Sequence, residues 1–441
     1  MKNKTVFFIK LILFIALLGF LLNGYARLVQ YKESSFHKAP LLEASENVDV
    51  LLLGSSHMQD NIYPMTLWQD YGITSYNAGS SGEPVEITYY VLKELLKTVE
   101  PKIVVVDTYM VHSRKEGFDQ NQGLVHGSID FMKRDEVRLE AAQNMAKAQD
   151  MEPLSFMSDI YAYHTRWQEL KKEDFEPEYS VEKGAIMLSG IYQHERHELP
   201  EMGYDEEKLD SVGFTYLSKI IELCREKDIK VVVTALPNTN KSEKKQLMAD
   251  TCLKAAENMG AFSLDVARAA DEIGIDYAHD FRDDEGHLNI IGSKKATDYL
   301  GSFLANELGA PDHRKDAAVF DKWKTDVSKW QDYKLLKAGN ENNAVSMIMY
   351  AYNEPDFKVS VYGEESIIAK DEALKGLLGI MDIEPKAYDE MSADEKSMAA
   401  EAYGEEMDGL IVFLGKDAED SRPLCRSFTF KESVFKLDEM N

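Results

Sequence analysis

Apolar positions along the chain fall into short continuous runs, separated by longer stretches in which apolar residues recur every three or four positions. The runs lie at 48–53, 73–77, 103–106, 230–235 and 262–266. Short apolar runs without polar alternation are the pattern of strands covered on both faces, as in a parallel sheet. Between them, 85–99 repeats Ile87, Tyr90, Val91, Leu95 and Leu96 at helical spacing, and 209–227, 243–259 and 290–308 read as further helices. Gly260 and Gly309 stand where helices close, and Asn289 stands where the last one is capped. Strands alternating with helices imply an α/β fold, a doubly wound and mainly parallel five-stranded sheet with right-handed crossovers. The segment 113–204 breaks this alternation. It is rich in Glu, Gln and Lys, carries Met132, Met145, Met151 and Met157, and shows no period of two. It is expected to be a mostly helical insertion on the carboxyl edge of the sheet, with an irregular solvated loop as the alternative.

Past Pro311 the pattern changes again. A helix is expected over 319–336, with Trp323, Val327 and Trp330 near one face. Strands are expected at 344–350, 357–362, 409–414 and 424–430, around helical segments near 371–404. These make a small mixed α/β accessory domain, 312–441, expected to bind or assemble. At the other end, Lys2 and Lys4 precede an apolar stretch, 6–22, broken by Lys10 and Gly19. That is near the ~20 residues needed to cross ~30 Å of hydrocarbon. It reads as a retained single span with the amino terminus in the cytoplasm and everything after about residue 27 outside. Gly24-Tyr25-Ala26 offers a signal-peptidase site as the alternative. The expected organisation is an anchor (1–27), a linker (28–46), an α/β body (47–311) and the accessory domain.

Composition narrows the functional classes. With 441 residues and 44% hydrophobic content there is ample material for buried cores. A net charge of −27 with no Lys/Arg stripe argues against a nucleic-acid partner. Cys224, Cys252 and Cys425 are odd in number and far apart, so no disulfide framework is implied. His112, His126 and His279 have no partner at metal-ligand spacing, so neither a metal nor another cofactor is expected.

Two distant segments carry the candidate chemistry. Gly54-Ser55-Ser56-His57 follows the first strand, and Asp284-Glu285-Gly286-His287-Leu288-Asn289 precedes the last helix. A serine hydroxyl is a weak nucleophile until an imidazole takes its proton, and the imidazole needs a carboxylate to orient it. Ser56, His287 and Asp284 supply those three groups, with His57 as a pocket-wall residue. The strained turn of α/β-hydrolases needs glycine two residues after the serine. Met58 stands there instead.

On these residues the chain resembles the SGNH (GDSL-type) hydrolase superfamily over roughly 47–112 and 205–309. Ser56 matches the nucleophile, and Gly79 in Tyr76-Asn77-Ala78-Gly79-Ser80-Ser81-Gly82 matches the second block. Asp284 and His287 match the late D-x-x-H. The family's asparagine block after the third strand is replaced by Asp107-Thr108-Tyr109. The resemblance implies a flavodoxin-like three-layer catalytic domain. Its oxyanion donors would be the Ser56 and Gly79 N–H groups, with Thr108 or Asn238 as the alternatives for a third. The Gly-Ser-Ser block and the anchor most resemble the DltD-like and alginate O-acetylation-like branches. That likeness implies a membrane-anchored O-acyltransferase or esterase acting on a cell-surface polysaccharide or teichoic-acid-like polymer, with a multi-span membrane O-acyltransferase as partner. The contrasting expectation is a catalytically idle scaffold of the same fold in envelope assembly.

Overall fold

The computed structural model describes residues 2–30, 36–43, 47–114, 122–175, 181–196, 198–403, 409–417 and 422–428. Strands β1 (Val50–Leu53), β2 (Ser75–Asn77), β3 (Ile103–Asp107), β4 (Lys230–Ala235) and β5 (Phe262–Asp265) form one sheet in the order β2-β1-β3-β4-β5. All four neighbouring pairs are parallel. Successive side chains of a strand point to opposite faces. Val50, Leu52, Ile103, Val105 and Val232 therefore enter one core, while Leu51, Leu53, Val104, Val106, Val231 and Val233 enter another. The first core is closed by helices Pro64–Tyr71 and Ile290–Asn306, through Leu67, Ala296 and Leu300. The second is closed by Val85–Leu95, Val212–Glu226 and Glu243–Asn258, through Val91, Leu217 and Leu253. Each fully buried side chain of this size contributes about 1.5–3 kcal/mol. Cover on both faces explains why the strands are continuous apolar runs.

The chain leaves β1 first toward β2 on one side and then returns to β3 on the other. That reversal opens a crevice at the carboxyl ends of β1 and β3, where ligands of open α/β sheets bind. Ahead of the sheet, the 3₁₀ helix Phe36–Glu43 packs Leu41 into the second core. Lys38 Nζ pairs with Glu83 at 2.8 Å, with both side chains fully buried.

The insertion is helical over Gln122–Ile129, Glu136–Gln149, Leu154–Met157, Asp159–Tyr163 and Lys172–Phe175. It is built around the Asp130 carboxylate, which takes Arg138 Nη2 at 2.8 Å and Tyr163 Oη–H at 2.6 Å. From 181 to 204 the described residues form no helix or strand, only turns and extended chain.

At the amino terminus, helix Lys2–Val29 contains 26 residues, Lys4–Val29, apolar enough to cross a membrane. At the carboxyl side, β6 (Phe357–Tyr362), β7 (Leu410–Lys416) and β8 (Leu424–Phe428) form an antiparallel sheet in that order. Residues 429 and 430 of the expected last strand lie outside the described residues. The segment expected to be a strand at 344–350 is instead helix Ala344–Met349. Asn343 caps it, its Oδ1 accepting the Ser346 N–H at 2.8 Å, and the whole helix is buried. An apolar run buried on every side carries no period, so its pattern does not separate strand from helix. Helix Ala317–Asn340 buries Trp323 and Trp330. Trp323 stacks on Trp68 at 5.0 Å, so this part and the α/β body share one core with Tyr63, Met65, Ile290 and Ile291.

Candidate functional site

β1 ends at Leu53, and after Gly54 the chain enters the short helix Ser56–Asn61. Ser55 is its N-cap: it is buried, and its Oγ accepts the His57 N–H at 3.3 Å. Ser56, the first helical residue, is partly exposed. The N–H of a first helical residue has no acceptor within its own helix. Of the two adjacent serines, one therefore caps the helix and the other presents its hydroxyl. Ser56 Oγ lies 2.8 Å from His287 Nε2, and His287 Nδ1 lies 2.8 Å from Asp283 Oδ2.

The carboxylate at the imidazole is thus Asp283, which corrects the expectation of Asp284. Asp283 Oδ1 accepts the backbone N–H groups of Glu285 and His287, both at 3.1 Å, folding the loop around that side chain. Gly286 turns the chain at φ +86°, and a Cβ there would lie 2.5 Å from Thr239 N. In this turn the residue four before His287 faces the ring, while Asp284 is exposed and offers its backbone carbonyl to Thr239 Oγ1 at 3.3 Å. The signal for Asp283 was the glycine, which makes a tight Asx-type turn rather than a first helical turn. The loop is tied to the serine's helix by the Leu288 N–H, which donates to Asn61 Oδ1 at 2.9 Å.

Burial raises the Asp283 carboxyl, but its hydrogen bond and charge interaction with His287 outweigh this and leave it below the ordinary carboxylate range. Burial lowers His287, yet Asp283, and more weakly Asp60 and Glu285, bring it above 6.5. An ionised carboxylate can only accept, so Nδ1 carries hydrogen and neutral Nε2 is left to accept the Ser56 proton. Sequence reasoning also missed Asp60. Its Oδ2 lies 3.9 Å from Nε2, and burial pushes its carboxyl up to about 7 against the pull of His287. His57 lies in the wall, stacked on Tyr109 at 3.5 Å and 4.8 Å from the His287 ring. Burial, then the neighbouring His287, holds it well below 6.5 and neutral.

Lys245 Nζ sits 4.8 Å above the other partner in this stack, the Tyr109 ring. A cavity of about 100 Å³ opens here, lined by Asp107, Tyr109, Asn238, Asn240, Lys244 and Lys245. Burial raises the Asp107 carboxyl to about 7.

Of the other expected oxyanion donors, the backbone N–H groups of Gly79 and Thr108 and one hydrogen of the Asn238 amide are engaged elsewhere. The Gly79 N–H donates to Asn77 Oδ1 at 3.0 Å, which corrects its assignment as a donor. Gly79 is required for close approach, since a Cβ would lie 2.9 Å from Ser55 O. Thr108 N–H donates to Thr234 O at 2.9 Å. Asn238 Nδ2 donates to Leu236 O at 3.0 Å. Among the described residues no three His, Cys, Asp or Glu side chains gather as metal ligands. His126 faces Asp130 at 3.0 Å and His279 faces Asp276 at 2.6 Å. The three cysteines are free thiols.

No family model and no curated protein matches the chain. Among solved structures it is similar to a gut microbial diltiazem-metabolizing enzyme, with 12% identity and a TM-score of 0.29 over 58% of this chain and 46% of that one. The likeness spans less than half of that protein and carries no argument about activity.

Proposed function

We propose that the chain is a serine-dependent O-acyltransferase or esterase of the SGNH type, acting on acyl groups such as acetyl. The single observation carrying this reading is the relay Asp283–His287–Ser56, with 2.8 Å at both contacts. His287 Nε2 takes the Ser56 proton as Oγ attacks the acyl carbonyl. The Ser56 N–H, free of its own helix, faces the developing oxyanion. The intermediate collapses as His287 returns the proton to the departing alcohol, leaving acyl-Ser56. A sugar hydroxyl or water, deprotonated by the same imidazole, then takes the acyl group, and His287 returns that proton to the departing Ser56 Oγ. Anchored by its first helix with the α/β body outside, the protein would act on a cell-surface polysaccharide or teichoic-acid-like polymer. A multi-span membrane acyltransferase would supply the acyl donor.

The test is labelling of the full-length protein with a fluorophosphonate, together with turnover of a small chromogenic ester. Wild type should be labelled at Ser56, and Ser56→Ala should lose labelling and at least ~10³-fold in rate. Ser55→Ala should keep both within a few-fold. Equal losses at both positions would remove Ser56 from the chemistry. The engaged Gly79 N–H favours a second reading, a non-catalytic scaffold of the same fold in envelope assembly. Folded protein that takes no label would support it.

A further inference from the structure

The anchor helix does not meet the body through a loose tether. Residues 4–24 are exposed on all sides, and burial begins at Tyr25 and Ala26. At ~1.5 Å per residue the exposed part is roughly 30 Å long, the thickness of the hydrocarbon layer. Where that length ends, the helix packs against Asp159–Tyr163 and Lys172–Phe175 of the insertion. Arg166 fixes the junction. Its Nη1 donates to the Val29 and Gln30 carbonyls at 3.1 Å each, and its Nη2 meets both Asp174 oxygens at 2.7 and 2.9 Å. Tyr25 Oη–H donates to His164 O at 2.7 Å. The elements making this joint also carry Tyr161, Trp167 and Phe175, which are 56%, 58% and 64% exposed. A cleft of about 670 Å³ lies at the same junction, lined on the anchor side by Arg27 and Leu28 and on the insertion side by Phe131, Phe175 and charges of both signs, among them Lys133, Arg134, Asp159 and Asp174.

Large aromatic side chains exposed together mark a contact surface. Tyr and Trp suit the lipid–water boundary, where an apolar ring and a polar edge are both satisfied. We propose that the insertion docks on the outer face of the bilayer. Tyr161, Trp167 and Phe175 lie in the interfacial layer around the end of the anchor, with the cleft beside them. The occupant is the membrane because the exposed length of the helix ends at this joint, where the bonds of Arg166 and Tyr25 hold the elements carrying the three aromatics. The inference rests on the membrane-span reading of the first helix.

Tryptophan fluorescence provides the test. Of the four tryptophans, Trp68, Trp323 and Trp330 are buried and Trp167 is exposed. Full-length protein is reconstituted in phosphatidylcholine liposomes and its flotation checked after an alkaline wash. The liposomes are then remade with lipid brominated near the glycerol end of the acyl chains. Docking predicts quenching of a part of the emission that is missing in Trp167→Phe, and less quenching of Trp167 in the double variant Tyr161→Ser/Phe175→Ser. Protein that floats but is quenched equally in wild type and Trp167→Phe overturns the docking while leaving the span intact. Protein that no longer floats overturns the span, and the docking with it. Shielding of Trp167 from acrylamide without bromine quenching, seen only at high protein density, assigns the surface to a second copy and also overturns the proposal.

Discussion

At the scale of single residues, the two neighbouring carboxylates, Asp283 and Asp284, have opposite expected effects. Asp283→Asn keeps the shape of the turn but removes the charge that holds Nδ1–H, so ester turnover should fall ~10²–10⁴-fold. Asp284→Asn, at an exposed side chain, should change it little. Steady-state rates with a small ester decide this, and equal losses would return Asp284 to the mechanism. The pH profile gives a second reading. Turnover needs neutral His287, and since its pKa is held above 6.5, the acid limb of kcat/KM should lie above pH 6.5. Without the Asp283 charge the limb should move to lower pH. The pairing also affects stability: its contribution is full from above the ordinary carboxylate range to about pH 6.5, fading as pH rises through the raised His287 value and as pH falls through the lowered Asp283 value. Ser56 and His287 were legible because a serine after a first strand and a histidine before a last helix fall at one sheet edge. Asp283 was not, because its role depends on a turn closed by its own hydrogen bonds. Gly79 illustrates the same limit: its place in the block was visible, while the bond that turns its N–H to Asn77 is a matter of packing.

At the scale of elements, the parallel strands were legible for a physical reason. Burial on both faces removes polar positions, and Ile103 to Val106 have no other plausible state between two helices. The same reasoning failed at Ala344–Met349, where full burial erased the helical period and a single cap at Asn343 decided the outcome. The 3₁₀ helix Phe36–Glu43 was hidden in what reads as linker, because its hold on the body comes from a few separate contacts: Leu41 in the core, the Lys38–Glu83 ion pair, and bonds of His37 with Gly79 O and the Tyr76 hydroxyl. Burial alone would lower Lys38 and raise Glu83, and each offsets the other's cost. Replacing only Lys38 by methionine strands a buried carboxyl and should cost about 3–5 kcal/mol, whereas Lys38→Met/Glu83→Leu should recover most of it. Urea denaturation of the two variants and wild type measures the difference. A double variant no more stable than Lys38→Met would show that the pair does not act as a unit.

At the scale of the whole molecule, the net charge of −27 repels anionic polymers at a distance. At physiological salt, fields fade over about 8 Å, so any anion already at the crevice would meet Lys244 and Lys245 rather than the average surface. The stacking of Trp68 on Trp323 at 5.0 Å joins the body to the carboxyl-terminal part through a common core. Differential scanning calorimetry in detergent should therefore show one endotherm for the two sheets, with calorimetric and van't Hoff enthalpies in agreement. Two resolved peaks would mean that the shared contacts are weak. The nucleophile's surroundings also inherit their heat tolerance from residues far along the chain. A substitution beneath Trp323 should leave the proposed activity normal when cool and lose it early on warming, although nothing at Ser56 had changed. Cutting the chain at 311 would leave Trp68 and Ile290 facing water and turn a search for a smaller soluble enzyme into a problem of aggregation.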